Sequence, residues 1–175
     1  LDQSTPARAS LLDSMNLWIN IARDELIQAM KRVDIVVIND GEATMLAGTD
    51  NLMQAAKDVQ SMASIPILIV KKGEHGVLAL HGNKLVALPA YPTSSVFDPT
   101  GCGDTFAGTL AACLAAGEGV IEMDELRNAL IHATVSASFT LEGFGIEGLE
   151  SMTEESYESR LFDYCSISGM STESS

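Results

Sequence analysis

Cysteine is scarce in this chain, with three in 175 residues. Cys102, Cys113 and Cys165 are odd in number and lack the paired spacing of a metal knuckle, which fits a reduced, cytoplasmic protein better than a disulfide scaffold. Basic residues are few as well: ten Lys and Arg against 24 Asp and Glu leave a formal charge of −14. A protein that neutralises the phosphates of nucleic acid or of an anionic membrane needs a basic footprint, so neither is an expected partner. The imbalance deepens after Leu141, where Glu142, Glu147, Glu150, Glu154, Glu155, Glu158, Asp163 and Glu173 face only Arg160. Any anion bound by this chain must find local donors elsewhere. Long apolar runs are also missing; Ile65 to Val70 and Ala111 to Ala116 fall well short of the roughly twenty residues of a membrane span. The opening Leu1-Asp2-Gln3 has no initiator Met, charged leader or small-residue cleavage site, the pattern expected of a chain that starts inside a longer reading frame.

What is present is the composition of a globular domain, 46% hydrophobic and 19% charged, enough to bury a core over 1–165, with a small, polar tail at 166–175 that is expected to fray. Leu11 and Leu12 read as the end of a buried strand before the polar Asp13, Ser14 and Asn16. Ile21, Leu26, Ile27 and Met30 recur at helical spacing and predict a helix from Ile21 to Arg32. Val33 to Ile38 and Ile65 to Val70 are short β-branched runs typical of strands covered on both faces. Between them, helices are expected from about Glu42 to Leu46 and Asn51 to Ala63. Val77 to Leu80 and Leu85 to Leu88 flank Gly82-Asn83, a hairpin signal. Three more helices are expected, Asp104 to Ala116, Asp124 to Thr140 and Glu154 to Phe162. Strands alternating with helices predict an α/β fold, a mostly parallel sheet extended by antiparallel strands at one edge. Met15, Trp18 and Met30 are of the kind that fills a core or interface and receive no functional role.

The densest chemistry lies in Phe97-Asp98-Pro99-Thr100-Gly101-Cys102-Gly103-Asp104-Thr105-Phe106-Ala107-Gly108. Its glycines let successive N–H groups converge at the start of a helix whose apolar face is Phe106, Leu110, Cys113 and Leu114, forming an anion hole. A carboxylate at Asp104 repels the charge that such a turn attracts. It belongs there as a base that takes a proton from a hydroxyl nucleophile, or as an N-cap of the helix.

The stretch Asp98 to Asp104 resembles the second signature of the ribokinase-like (PfkB) carbohydrate kinases. The family usually has a small residue such as Ala in place of Cys102. The resemblance implies a ribokinase-like three-layer α/β/α fold, ATP with Mg²⁺, Asp104 as catalytic base, and Gly101, Cys102 and Gly103 as the anion hole. It extends to Asn39-Asp40-Gly41-Glu42, the family's Asn-x-x-Glu, where Glu42 would orient Mg²⁺-bound water and Asn39 reach the triphosphate; helix-start chemistry is the other reading of this spacing. Lys72-Gly73-Glu74-His75-Gly76 follows a buried strand, where ligands of open α/β sheets gather. The family's glycine turn there implies ATP contacts at Gly73 and Gly76 with Lys72 on a phosphate, against a plain hairpin turn. His132 falls near an adenine-side contact of the family, against a satisfied packing role. Asp98 and Thr100 match positions that hold a monovalent cation such as K⁺, while Glu142-Gly143-Phe144-Gly145 departs from the pattern of the remaining contacts.

The resemblance runs from about Leu11 to the last helix but covers only the C-terminal portion of the family. The first strands, the lid and most acceptor contacts have no counterpart, so a large face of the sheet is expected to lie open unless other residues or a second copy in a homodimer cover it. The implied activity is transfer of the γ-phosphate of ATP to a hydroxymethyl group of a sugar or related small molecule. Two alternatives stay open: a nucleotide-binding module without turnover, and a nucleoside or other-alcohol kinase of the same fold. A dinucleotide dehydrogenase is disfavoured, because no Gly-x-Gly-x-x-Gly follows a first strand.

Overall fold

The computed structural model describes residues 8–169. The chain divides into two compact units, Leu1–Ala87 and Leu88–Ser175.

The first unit holds the sheet. Its elements are β1 (Leu11–Asp13), α1 (Asn16–Ile21), α2 (Arg23–Met30), β2 (Ile35–Asn39), α3 (Asp40–Ala47), α4 (Leu52–Ala63), β3 (Ile67–Lys71), a 3-10 turn (Gly73–His75), β4 (Val77–His81) and β5 (Lys84–Leu88). The strands lie side by side in sequence order, with β1, β2 and β3 parallel and β4 antiparallel to β3. The expected sheet, parallel with antiparallel strands at one edge, is therefore observed.

Period-two alternation sends Val36, Ile38, Leu68, Val70, Leu78 and Leu80 into a core with Met30, Leu46, Ala55, Ala56 and Val59. Burying each large aliphatic side chain of this set contributes about 1.5 to 3 kcal/mol before the entropy of ordering is subtracted. The alternate residues Ile35, Val37, Ile67, Ile69, Val77 and Ala79 are at most 3% exposed. The expectation of an open sheet face is thus not met for these strands. The least covered strand is β1, at the edge of the sheet, where Leu11 and Leu12 are half-buried and Asp13 is exposed.

The helix expected from Ile21 to Arg32 is α2 alone, and α1 before it was not anticipated. Ala22, at φ −150° and ψ 47°, separates the two. Helix α1 buries only Ile19 and leaves Leu17, Trp18 and Ile21 exposed, so it carries no apolar stripe by which spacing could reveal it. Met30 is buried, whereas Met15 and Trp18 are half-exposed.

The second unit is helical: α5 (Cys102–Ala115), α6 (Met123–Thr140), α7 (Glu147–Glu150) and α8 (Glu154–Ile167). Helix α5 buries Phe106, Ala107, Leu110 and Leu114, and packs on α6, whose Leu126, Leu130, Ala133 and Val135 are almost fully buried. The Thr140 hydroxyl donates to that of Thr105 at 2.9 Å, tying the end of α6 to the start of α5. Helix α8 begins in a capping box between Thr153 and Ser156 and continues to Ile167, five residues beyond the expected end at Phe162. Ser166 and Ile167, placed in the fraying tail by the sequence, are helical; residues from 170 onward lie outside the described set. Tyr164 on this helix is fully buried and donates its hydroxyl to the Pro89 carbonyl at 2.7 Å.

Candidate active site

The glycine turn is built as its residue types require. Asp98 accepts the Thr100 N–H at 2.9 Å, closing a short side-chain turn, and the Thr100 hydroxyl and N–H together hold the Asp98 carboxyl below its ordinary value. Gly101 caps α5 at φ 86°, a left-handed conformation that a side chain strains. A Cβ there would find room, its nearest neighbour being Thr140 Cγ2 at 3.7 Å, so backbone conformation rather than space calls for glycine. The Phe97 N–H donates to the Leu141 carbonyl at 2.8 Å, fastening the approach to the turn onto the end of α6.

Asp104 is the third residue of α5 and is exposed. It is not the N-cap that residue type alone allowed: Gly101 holds that position, and no side chain caps the helix. Among the described residues the Asp104 carboxylate has no partner. Of the expected anion hole, the Cys102 N–H is already donated to the Pro99 carbonyl at 3.2 Å. Among the described residues the first-turn N–H groups of Gly103 and Asp104 are left open at the positive end of a helix of 14 residues. Burial, reinforced by the charge of Asp98, raises the Cys102 thiol, so this sulfur stays a neutral, small side chain rather than a nucleophile.

In the first unit, Asn39 ends β2 and caps α3. Its Oδ1 accepts the Glu42 N–H at 2.8 Å, and Glu42 Oε2 accepts the Asn39 N–H at 2.8 Å. This is a reciprocal capping box, so the helix-start reading of Asn-x-x-Glu is realised in full. Glu42 is nonetheless unusual in being only 2% exposed. Burial raises its carboxyl, the Asn39 N–H opposes that rise, Asp13 adds to it and Lys71 again opposes it.

Asp13 and Lys71 are functional candidates that the sequence reading missed. In register, Asp13 stands beside Val37 and Lys71 beside Asn39, so both project on one face across the end of β2. The Lys71 ammonium reaches the Asp13 carboxylate at 3.2 and 3.3 Å. Lys71, the residue before Lys72, thus places a paired cation at the carboxyl ends of the parallel strands. The Lys72 N–H donates to the Gly76 carbonyl at 2.7 Å, and its side chain has no partner among the described residues. Gly73, at φ 55°, and Gly76, at φ 89°, make the tight turn between β3 and β4. Two apolar strand ends carrying opposite charges were the available signal, but only the register shows that they meet.

The donors suit Mg²⁺ only through water. Among the described residues no group of three or more His, Cys, Asp or Glu could hold a metal ion, and one oxygen of Glu42 is already engaged. Such a site can steer waters around a cation carried in by a nucleotide, as hydrated Mg²⁺ favours.

His132 lies on α6, with Nδ1 2.6 Å from the Tyr157 hydroxyl of α8, and burial lowers its proton affinity. Arg160 of α8 holds both Glu142 oxygens at 2.9 and 3.0 Å, donates to Ser138 Oγ at 3.1 Å and lies 3.6 Å from the centre of the Phe139 ring. The departure from the family's pattern at Glu142 thus has a structural partner. No helix of the described residues is long and apolar enough to cross a membrane.

Comparison with known proteins bears on the family and the fold. The sequence profile described as pfkB family carbohydrate kinase matches residues 4–148. Cytidine kinase of Thermococcus kodakarensis is 35% identical over 102 residues, which is 57% of this chain and 36% of that protein. Fructokinase from Vibrio cholerae O395, solved with fructose, ADP and calcium ion bound, superposes with a TM-score of 0.74 at 20% identity over 86% of this chain and 50% of that one. Aminoimidazole riboside kinase from Salmonella enterica, solved with aminoimidazole riboside and an ATP analog, gives 0.72 at 21% identity over 86% and 51%. At these identities the solved structures show a shared ribokinase-like fold. The chain spans about half the length of these structural relatives.

Proposed function

Since the chain belongs to the pfkB family of carbohydrate kinases, we propose that it is the nucleotide-binding and catalytic part of an ATP-dependent phosphotransferase whose acceptor is the primary alcohol of a sugar or nucleoside. The observation that carries this reading is the start of α5: Gly103 and Asp104 N–H groups at a positive helix end, beside an exposed Asp104 carboxylate, all without a partner among the described residues. An anion is attracted to the former and repelled by the latter, and proton abstraction is the function that reconciles them.

In this mechanism Asp104 takes the proton of the acceptor hydroxyl while its oxygen forms a bond to the γ-phosphorus. The bond from that phosphorus to the bridging oxygen breaks, and ADP leaves with the electron pair. The Gly103 and Asp104 N–H groups, aligned with the α5 dipole, stabilise charge on the transferred group. The family resemblance assigns Asn39, Glu42, Gly73 and Gly76 of the first unit and His132 of the second to the nucleotide, and in the first unit Lys71 and Asp13 set the charge at the strand ends. Bound Mg²⁺ supplies neutralisation of the phosphate oxygens. The names of the relatives favour an acceptor among sugars and ribosides, since fructose, cytidine and aminoimidazole riboside all carry a primary alcohol. A nucleotide-binding module without turnover is the second reading, favoured by the chain's spanning only half of its structural relatives.

Titration calorimetry with ATP and Mg²⁺ tests the site on this chain. Binding is expected, and Asp104→Asn should change it by no more than a few-fold, because the base acts on the acceptor. A folded chain that binds no ATP refutes the assignment. In the polypeptide completed by the rest of the fold, the same substitution should reduce phosphotransfer by about 100-fold or more.

A further inference from the structure

His132 and Tyr157 form a contact that the capping and charge of the site do not explain. The imidazole Nδ1 is 2.6 Å from the phenol oxygen and both residues are half-buried. The two rings are almost parallel, 13° apart with centroids at 6.1 Å. Tyr157 also stacks against Phe139, at 24° and 6.4 Å. With the phenol oxygen 2.6 Å from Nδ1 and the nearly parallel ring centres 6.1 Å apart, the imidazole sits end-on beyond the hydroxyl, in line with a ring-nitrogen lone pair. Tyr157 lies on α8, beyond the residues 4–148 that match the family.

Which atom donates follows from relative acidity. A phenol, with an ordinary pKa near 10, is a far better donor than a neutral imidazole N–H, and an imidazole nitrogen is a better acceptor than a phenol oxygen. A short O···N separation is the geometry of a phenol donating to an imidazole lone pair. Ser136 supplies a further hydroxyl interaction to Tyr157, compatible with the Tyr157 proton being committed to His132. With Nδ1 accepting, the proton of a neutral imidazole sits on Nε2.

We propose that Tyr157 is a positioning residue that donates its hydroxyl to His132 Nδ1 and holds His132 as the Nε2–H tautomer, a neutral donor for an acceptor atom of the nucleotide base rather than a cation for its phosphates. This rests on the nucleotide assignment above and gives His132 a defined role within it. An imidazolium donates at both nitrogens, so protonating Nδ1 would remove the lone pair that accepts the Tyr157 hydroxyl and reverse the bond. Half-burial works in the same direction by disfavouring the charged ring.

The test is nitrogen-15 NMR of the chain labelled at histidine, at neutral pH, with the resonances assigned through His75→Gln and His81→Gln. The expected spectrum shows His132 protonated at Nε2 and bare at Nδ1, and Tyr157→Phe, which keeps the ring and its packing on Phe139, should shift it toward a mixture of tautomers. Finding His132 protonated at Nδ1 in the native chain, or a tautomer unmoved by Tyr157→Phe, overturns the proposal. Two ligands locate the effect: Tyr157→Phe should weaken binding of ATP with Mg²⁺ about five-fold and leave inorganic triphosphate with Mg²⁺ unchanged. Equal losses for both would overturn the base-side role. If the native chain binds neither ligand, the proposed function fails, while the tautomer measurement still decides the role of Tyr157.

Discussion

Replacing Glu42 by Gln should leave the first unit as stable at neutral pH as the native protein, or make it more stable, although it alters a buried capping residue. In the native protein the Glu42 carboxyl is 2% exposed and accepts the Asn39 N–H at 2.8 Å. Burial is the largest influence on it, and the net effect raises its pKa above the ordinary 4.5. The folded protein therefore binds this proton more tightly than the unfolded chain does. The stability associated with the protonated form is fully present below the ordinary value and is lost as pH rises through the raised one. At neutral pH the native carboxylate is held at a cost that Gln avoids, while the amide oxygen still accepts the Asn39 N–H. Opposing this, the carboxylate gains from the N-terminus of α3, about 0.3 to 1 kcal/mol. The direction of the pKa shift means that desolvation outweighs the favourable terms. Glu42→Gln should consequently lie within about 1 kcal/mol of the native protein or above it, whereas Glu42→Ala, which orphans the Asn39 N–H, should lose about 1 to 3 kcal/mol. Urea unfolding followed by the fluorescence of Trp18, the single tryptophan and part of the first unit, measures both. Any advantage of Gln should shrink as pH falls toward 4.5. A Gln variant clearly less stable at neutral pH, with the deficit disappearing in acid, would refute the reasoning, since it would show that the ionised carboxyl stabilises the fold.

Two further outcomes follow from the second unit. A Cβ on Gly148 would lie 2.0 Å from the Phe139 carbonyl oxygen, so Gly148→Ala should cost about 3 kcal/mol or more, seen as a lower melting temperature or loss of soluble protein. Burial pushes Tyr164 up to about 12 from 10.0, opposed by a hydrogen bond from Thr134. Its stability contribution is full below pH 10 and fades as pH rises toward 12, so alkaline unfolding should be less steep in Tyr164→Phe, which also loses about 1 to 2 kcal/mol with the Pro89 hydrogen bond at neutral pH.

Much of the scaffold was legible because its signals are local. The β-branched runs at Ile35 to Ile38 and Ile67 to Val70 are buried on both faces, and Asn51 caps α4 through the Gln54 N–H as a helix-start residue should. Gly101 is glycine for the backbone angle that the turn demands. Other features depended on distant neighbours. The third-position Asp104 could not be distinguished from an N-cap until the helix was seen to start at Cys102. The resemblance places the Cys102 N–H in the anion hole, and in the structure it donates to the Pro99 carbonyl. Helix α1 had no stripe to read, because it buries Ile19 alone and leaves Leu17, Trp18 and Ile21 exposed.

The sequence by itself determined the α/β alternation, the glycine turn with its acidic neighbour, and membership of the family, since each is a property of contiguous residues whose types limit backbone angle, periodicity and charge. Tertiary structure decided which side chains become partners. Strand register placed Lys71, rather than Lys72, against Asp13 across β2, and packing of α8 on α6 gave His132 its phenol partner 25 residues away. Parallel strands and packed helices join residues far apart in the chain. Their pairing is set by how whole elements seat on one another, and the spacing of residues within any one element does not contain it.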